Sequence, residues 1–307
     1  MKAKVIGAMA AAFFMGWLAG TARADFTLHG DEQLTVDTES ESTPFPSGYL
    51  YDFSRVNVVG GGAVTRLYAY DSSTVNISGG NVSWATYGGI FAHDSSTVNI
   101  SSGLAIGLDA SDASTVNISG GGVGGFRGAG VYGGLDARGT SIVNISDGSV
   151  NWIRASDQST VNISGGWIDT EGFEGSYGVS TYGTSTVNIS GGWMPSQYNA
   201  GIDGGLYTHD SSTVDISCGD VALVRAYDSS IVTFDGQDFL LGTGLSLDGD
   251  KVMGTGILSG KWFDGTAWST SIPYHAAGAT IRVVPEPATL SLLALGGLAV
   301  LRRRRRK

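Results

Sequence analysis

Two short runs set the side chains of a hydrolytic triad next to one another, His93-Asp94-Ser95 and His209-Asp210-Ser211. Such chemistry needs an imidazole held between a hydroxyl and a carboxylate. Consecutive strand residues point to opposite faces, so groups adjacent in sequence diverge and cannot relay a proton. The histidine position reads Tyr70, Ser111, Ser156 and Tyr227 in other copies of the same run, and no catalytic residue is assigned. The aspartates of these runs, Asp71, Asp94, Asp112, Asp157, Asp210 and Asp228, raise two further chemistries. Stacked at a strand spacing of ~4.8 Å, two ionised carboxylates repel by roughly 0.9 kcal/mol in water, too little to force a shared proton or an acid–base pair. Calcium bridging is the single cofactor chemistry such a column could support, although the Gly-Gly-x-Gly-x-Asp pattern of calcium rolls is missing; otherwise no cofactor is expected. Cys218 is the lone cysteine, and the chain has no Cys/His metal spacing, no glycine loop with lysine and no basic patch.

These residues belong to a repeated unit. Asp71-Ser-Ser-Thr-Val-Asn-Ile-Ser-Gly-Gly80 returns with small changes at Asp94–Gly103, Asp112–Gly121, Thr140–Gly148, Asp157–Gly166, Thr184–Gly192, Asp210–Gly219 and Asp228–Gly236, with weaker forms near Val36 and Val56. The first valines of the copies lie between 18 and 27 residues apart, which suits one coil of a solenoid. Val75 and Ile77 alternate with Thr74, Asn76 and Ser78, the period of a strand. The Gly-Gly pair supplies a sharp corner, the Asp-Ser-Ser run a capped turn, and Leu67-Tyr-Ala-Tyr70 and its equivalents a second strand before the turn. The predicted fold is all-β: a single-stranded right-handed parallel β-helix of about ten rungs with Val, Ile and Leu stacked inside, an N-terminal signal helix and a C-terminal transmembrane sorting helix. A buried Val or Ile contributes roughly 1.5 to 3 kcal/mol, while ordering each residue costs about 1 to 2 kcal/mol, so a lone rung is unstable and the stack must be cooperative. Asn76, Asn99, Asn117, Asn144, Asn162 and Asn188 fall in one external column, where amides can hydrogen-bond from rung to rung.

Extra residues enter the longer rungs at one place, after the Gly-Gly corner, and therefore emerge from one face. They bring Trp84, Tyr87, Phe126, Tyr132, Phe173, Tyr177 and Tyr198, with Trp167 and Trp193 at the edge. These rings could stack on sugars or seal the solenoid's side, and sealing is the simpler role. Arg127, Arg138, Arg154 and Arg225 occupy unlike rung positions, which argues against the charge cluster of a carbohydrate-active enzyme.

The two ends read as addresses. Lys2 and Lys4 precede an apolar run from Val5 to Leu18, and Ala22 and Ala24 supply the small residues a signal peptidase needs, so a mature chain begins at Asp25. At the other end Pro285, Glu286 and Pro287 lead into an apolar run from Ala288 to Leu301, closed by Arg302, Arg303, Arg304, Arg305, Arg306 and Lys307. As a helix that run would reach ~21 Å, short of a ~30 Å hydrocarbon core, and the arginines would hold its end on the cytoplasmic side. The expected organisation is a signal peptide at 1–24, an N-terminal cap and first rung at 25–54, repeats at 55–240, a C-terminal β cap at 241–284 and the sorting signal at 285–307. Without the two addresses the formal net charge moves from −10 to about −18, because nine of 18 basic residues leave but only one of 28 acidic ones. A surface so acidic excludes nucleic acid and anionic lipid as partners.

The order of Pro-Glu-Pro, apolar run and arginine block resembles the PEP-CTERM sorting signal of Gram-negative bacteria. The resemblance covers this tail only. It implies recognition by an exosortase, a membrane-embedded cysteine transpeptidase, with cleavage beside Pro285-Glu286-Pro287 and delivery from the membrane to the cell surface or an exopolysaccharide matrix. The repeats more loosely resemble bacterial surface and autotransporter passenger domains. Together these readings lead to an exported, non-enzymatic β-solenoid for structure, adhesion or polysaccharide association, whose partners are signal peptidase, exosortase and exopolysaccharide. The alternative is a β-helix polysaccharide lyase or hydrolase.

Overall fold

The computed structural model describes residues 25–37, 46–82, 89–124, 133–168, 178–194 and 205–285. The expected signal and sorting helices fall outside these residues, and among the described residues no helix is long and apolar enough to cross a membrane. Among the described residues every element is a strand, and most pair in parallel.

One coil explains the rest. Strand Arg66–Ala69 buries Leu67 and Ala69; a turn through Asp71 reverses the chain; strand Thr74–Val82 then buries Val75 and Ile77, bends at Ser78-Gly79-Gly80 and buries Val82. The bend divides that strand into two faces, so a coil has three sides around a shared interior. Equivalent coils stack residue on residue: Leu67 pairs with Ile90, Val75 with Val98, Ile77 with Ile100 and Val82 with Ala105. Branched aliphatics thus form continuous interior columns, as alternation in the sequence requires. At the bend Gly80 has φ +69, and a Cβ there would lie 2.2 Å from the carbonyl oxygen of Gly62 on the preceding coil. Both the left-handed backbone and the closeness of the neighbour exclude a side chain.

The Asp-Ser-Ser turn works differently from a simple cap. Its second serine points inward, and Ser54, Ser73, Ser96, Ser114, Ser141, Ser159, Ser185, Ser212 and Ser230 are all buried. The last residue of the strand before the turn is small and buried as well, Ala69, Ala92, Ala110, Ala137 and Ala155 stacking in register. Where that column carries threonine, the hydroxyls pair, Thr181 with Ser212 at 2.7 Å and Thr208 with Ser230 at 2.8 Å.

The ends close unequally. Strand Ile231–Leu241 leaves the solenoid and leads into antiparallel pairs, Leu245–Asp248 with Lys251–Gly254 and Gly256–Lys261 with Ala267–His275. The chain then returns, so that Ala267–His275 and Thr280–Pro285 add one more parallel coil. Phe234 stacks on Trp268 at 5.0 Å and Trp262 on Trp268 at 4.7 Å, and the Trp262 indole N–H donates to Gly219 O at 2.9 Å. This aromatic plug ends the aliphatic interior. At the opposite end Phe26–Leu28 and Gln33–Val36 form the first coil, and Phe26 lies over Gly48.

Candidate functional site

Two outward columns on the strands that precede the Asp turn carry most of the exposed chemistry. In one, rings stack coil upon coil: His29 on Tyr51 at 5.0 Å, Tyr51 on Tyr70 at 5.1 Å and Tyr70 on His93 at 5.0 Å. It resumes with Tyr182 on His209 at 4.8 Å and His209 on Tyr227 at 4.5 Å. The neighbouring column stacks Tyr49, Tyr68 and Phe91. Between His93 and Tyr182 the rings stop in both columns. One reads Ser111, Arg138 and Ser156; the other reads Asp109, Asp136, Arg154 and Ser180. Parallel register, not sequence spacing, creates this interruption.

Within it, Arg138 Nη2 donates to Asp109 Oδ2 at 2.9 Å and stands 3.5 Å from Asp136 Oδ2, while Arg154 Nε lies 3.0 Å from Asp136 Oδ1. The last contact is an ion pair without hydrogen-bond alignment, and the Oδ1 atoms of both Asp109 and Asp136 are buried without a hydrogen-bond partner. Burial pushes the Asp109 carboxyl above the usual aspartate range, against the pull of Arg138. Arg138 and Arg154 do occupy unlike positions, one at the start of a turn and the other in a strand, but the inference that they form no charge cluster is corrected: both converge on Asp136 because coils of unequal length stack in register.

The histidines gain partners across coils. Ser111 Oγ lies 2.8 Å from His93 Nδ1 and Asp112 Oδ2 lies 3.8 Å from the same nitrogen. A relay requires hydroxyl and carboxylate on different ring nitrogens, so this trio does not form a triad. His209 is pushed below the usual imidazole range by burial, with Asp228 and Asp210 opposing. The turn aspartates are structural ligands of the backbone. Asp52, Asp71, Asp94, Asp112, Asp157, Asp210 and Asp228 all have φ between 55 and 62. The Asp71, Asp94 and Asp112 carboxylates accept, in turn, the N–H of Asp52, Asp71 and Asp94 on the coil before. Gly139 and Gly183 take the left-handed position in coils that lack the aspartate. Among the described residues no group of three or more His, Cys, Asp or Glu could hold a metal ion.

The loop aromatics Trp84, Tyr87, Phe126, Tyr132, Phe173, Tyr177 and Tyr198 lie outside the described residues. Trp167 and Trp193 are placed, packing edge to face at 3.9 Å on the third side of the coil, with the Trp193 indole N–H donating to Asp220 at 3.0 Å. The asparagine column forms one continuous chain of amide hydrogen bonds, from Asn76 to Asn57 at 2.9 Å through to Asn188 on Asn162 at 2.8 Å. It begins one coil earlier than the sequence suggested, at Asn57. Cys218 stands where four other coils have glycine, at Gly79, Gly120, Gly165 and Gly191, and is half-buried against the interior.

The final strand, Thr280–Pro285, runs parallel to Ile231–Gly236, with Val284 opposite Asp235 and Pro285 opposite Gly236. Val283 is buried, its N–H donating to Asp250 O at 2.9 Å, and Arg282 Nε donates to Thr233 Oγ1 at 3.0 Å. Residues 283–306 match the family model of the PEP-CTERM protein-sorting motif. The chain carries a PEP-CTERM sorting signal. It marks an exported protein sorted to the cell surface, and the motif implies processing by an exosortase. Among curated proteins none matches the chain, and among solved structures none matches it either. The PEP-CTERM match begins inside the folded domain: Val283 belongs to both the motif and the interior, and no residue separates the last paired position, Pro285, from Glu286.

Proposed function

We propose that this PEP-CTERM protein is a non-enzymatic, rigid, acidic β-solenoid of the cell surface or exopolysaccharide matrix, serving structure, adhesion or polysaccharide association. The observation that carries the reading is the sorting motif joined directly to the last coil of a continuous solenoid. Aliphatic columns, the asparagine chain and the aspartate turns all tie one coil to the next, and that is how a stiff extracellular spacer is built. Removal of the signal peptide at Ala22 and Ala24 and of the C-terminal apolar segment would leave residues 25–284 outside the cell. The test is fractionation of a host that carries an exosortase. The protein should reach the surface or matrix, whereas a variant with Pro285, Glu286 and Pro287 all replaced by alanine should stay as a precursor in the membrane fraction. Equal surface delivery of both would sink the reading.

The convergence of Asp109, Asp136, Arg138 and Arg154 favours a second reading, a carbohydrate-active lyase or hydrolase. Incubating residues 25–284 with polysaccharides separates the two. New reducing ends or unsaturated products would establish an enzyme, and intact polymer supports the first reading.

A further inference from the structure

We infer that the interruption of the aromatic ladders between His93 and Tyr182 is a binding site for a neutral saccharide chain laid along the solenoid axis, with Asp109, Asp136, Arg138 and Arg154 as its hydrogen-bonding groups. The inference deepens the proposed polysaccharide association by giving it a place and a ligand class. The interruption spans four coil steps, or ~19 Å at ~4.8 Å each, the scale of a short oligosaccharide. Stability does not account for it. The repeat's default at these positions is a stack of rings, and over the same coils the chain replaces them with Ser111, Arg138 and Ser156 in one column and with Asp109, Asp136 and Arg154 in the other, where Asp109 Oδ1 is buried without a hydrogen-bond partner and Asp136 Oδ1 has only the unaligned ion pair to Arg154. Burying a polar atom without a partner destabilises a fold. Buried hydroxyls without a partner recur inside the coil at Ser73, Ser96, Ser114 and Ser141, but only here does such an atom belong to an outward carboxyl, displaced from its ordinary range and set beside half-exposed guanidinium groups, and that combination is the pattern of a functional site.

The chemistry of the groups selects the ligand. A sugar hydroxyl both donates and accepts, and here guanidinium donors and carboxylate acceptors alternate within reach of one another. Their charges balance, two against two, while the surrounding protein is strongly acidic, so a polyanion is disfavoured. The groups are also held in advance. The Arg154 guanidinium lies 5.8 Å from the centre of the Trp152 ring, and that ring rests against Gly134, where any Cβ would approach within 2.3 Å. Arg138 and Arg154 remain half exposed, with side-chain exposures of 48% and 52%, and so present their outer N–H groups to solvent.

The test is calorimetric titration of residues 25–284 with the hexamers of β-1,4-glucose, α-1,4-glucose and β-1,4-mannose, and with an alginate hexamer as the anionic probe. Binding of at least one neutral hexamer is expected, lost at least tenfold in Arg154→Ala and in Asp109→Asn and unchanged in Asp238→Asn on the C-terminal cap. Asp109→Asn should melt no lower than the parent, which separates loss of binding from loss of fold. No binding by any neutral hexamer, binding that survives both Arg154→Ala and Asp109→Asn, or preference for alginate would overturn the assignment. Surface fractionation is independent of this outcome, so the failure of either reading is recognisable without the other.

Discussion

The backbone N–H of Asp71 donates to the carboxylate of Asp94 on the next coil at 3.1 Å, and Asp94 itself holds φ 55. One residue type therefore meets two demands at once, a left-handed backbone that short polar side chains tolerate and an acceptor aimed at the coil before.

Substitutions at Asp94 can separate these demands. Asp94→Gly keeps the backbone and loses the acceptor, for a cost of about 1 kcal/mol. Asp94→Ala adds left-handed strain of about 1 kcal/mol. Asp94→Asn retains an acceptor and should cost least. Urea denaturation of residues 25–284 should rank the stabilities Asn, Gly, Ala from highest to lowest, and an Ala variant as stable as Asn would remove the coil-to-coil role.

The amide column makes a parallel prediction. Asn117 donates to Asn99 and accepts from Asn144, both at 2.9 Å. Asn117→Ala should lose about 2 kcal/mol, two bonds at about 1 kcal/mol each. Asn117→Asp should lose about half of that, since it removes the donor and keeps the acceptor. The chain itself carries Asp215 at the equivalent position after Asn188, where the column ends. Equal stability of the Ala and Asp variants in the same titration would show that the column contributes nothing as a chain.

Much of this architecture is legible in the sequence, because each coil repeats the same local demand. Val75 and Ile77 alternate with polar residues, and Gly79-Gly80 mark a corner; these are short-range facts. What the sequence hides is set by register. Asp109 and Arg138 are 29 residues apart in sequence and 2.9 Å apart in space, and neither belongs to a motif. Their meeting depends on coils of different length stacking in phase, which their spacing alone does not state. The inward turn of Ser73 was hidden for a related reason: a serine beside an aspartate reads as a turn residue whether it faces water or the interior.

His209 gives the fold a pH dependence with a definite sign. Its imidazole is pushed below the ordinary value by burial between Tyr182 and Tyr227, so the folded state favours the neutral ring. The contribution is complete above the unfolded value of about 6.5 and is lost as the pH falls from there towards the lower folded value, because the unfolded chain takes up the proton first. His209→Tyr preserves a stacked ring and removes the titration. Thermal melts between pH 5 and 8 should show a steeper acid-side fall for the parent than for this variant. Identical slopes would refute it.

The junction at Pro285 predicts how sorting depends on folding. Val283 is buried, Val284 and Pro285 pair with Asp235 and Gly236, and Glu286 follows at once. The Asp235 carboxyl beside this junction is half-buried and raised above its ordinary range, by burial first and by Asp215 second. An exosortase approaching Pro285-Glu286-Pro287 therefore meets the cap before the last strand has separated from it. Opening that strand is a local unfolding step, with its own free energy, that precedes processing. Six Gly/Ser residues inserted between Val284 and Pro285 move the motif off the cap and leave the interior intact. In a pulse-chase with a host carrying an exosortase, the precursor of that variant should disappear several-fold faster than the parent's. Val283→Asp, which loosens the strand by burying a charge, should accelerate it as well. Unchanged precursor lifetimes in both variants would mean that the enzyme reaches its motif without disturbing the final coil.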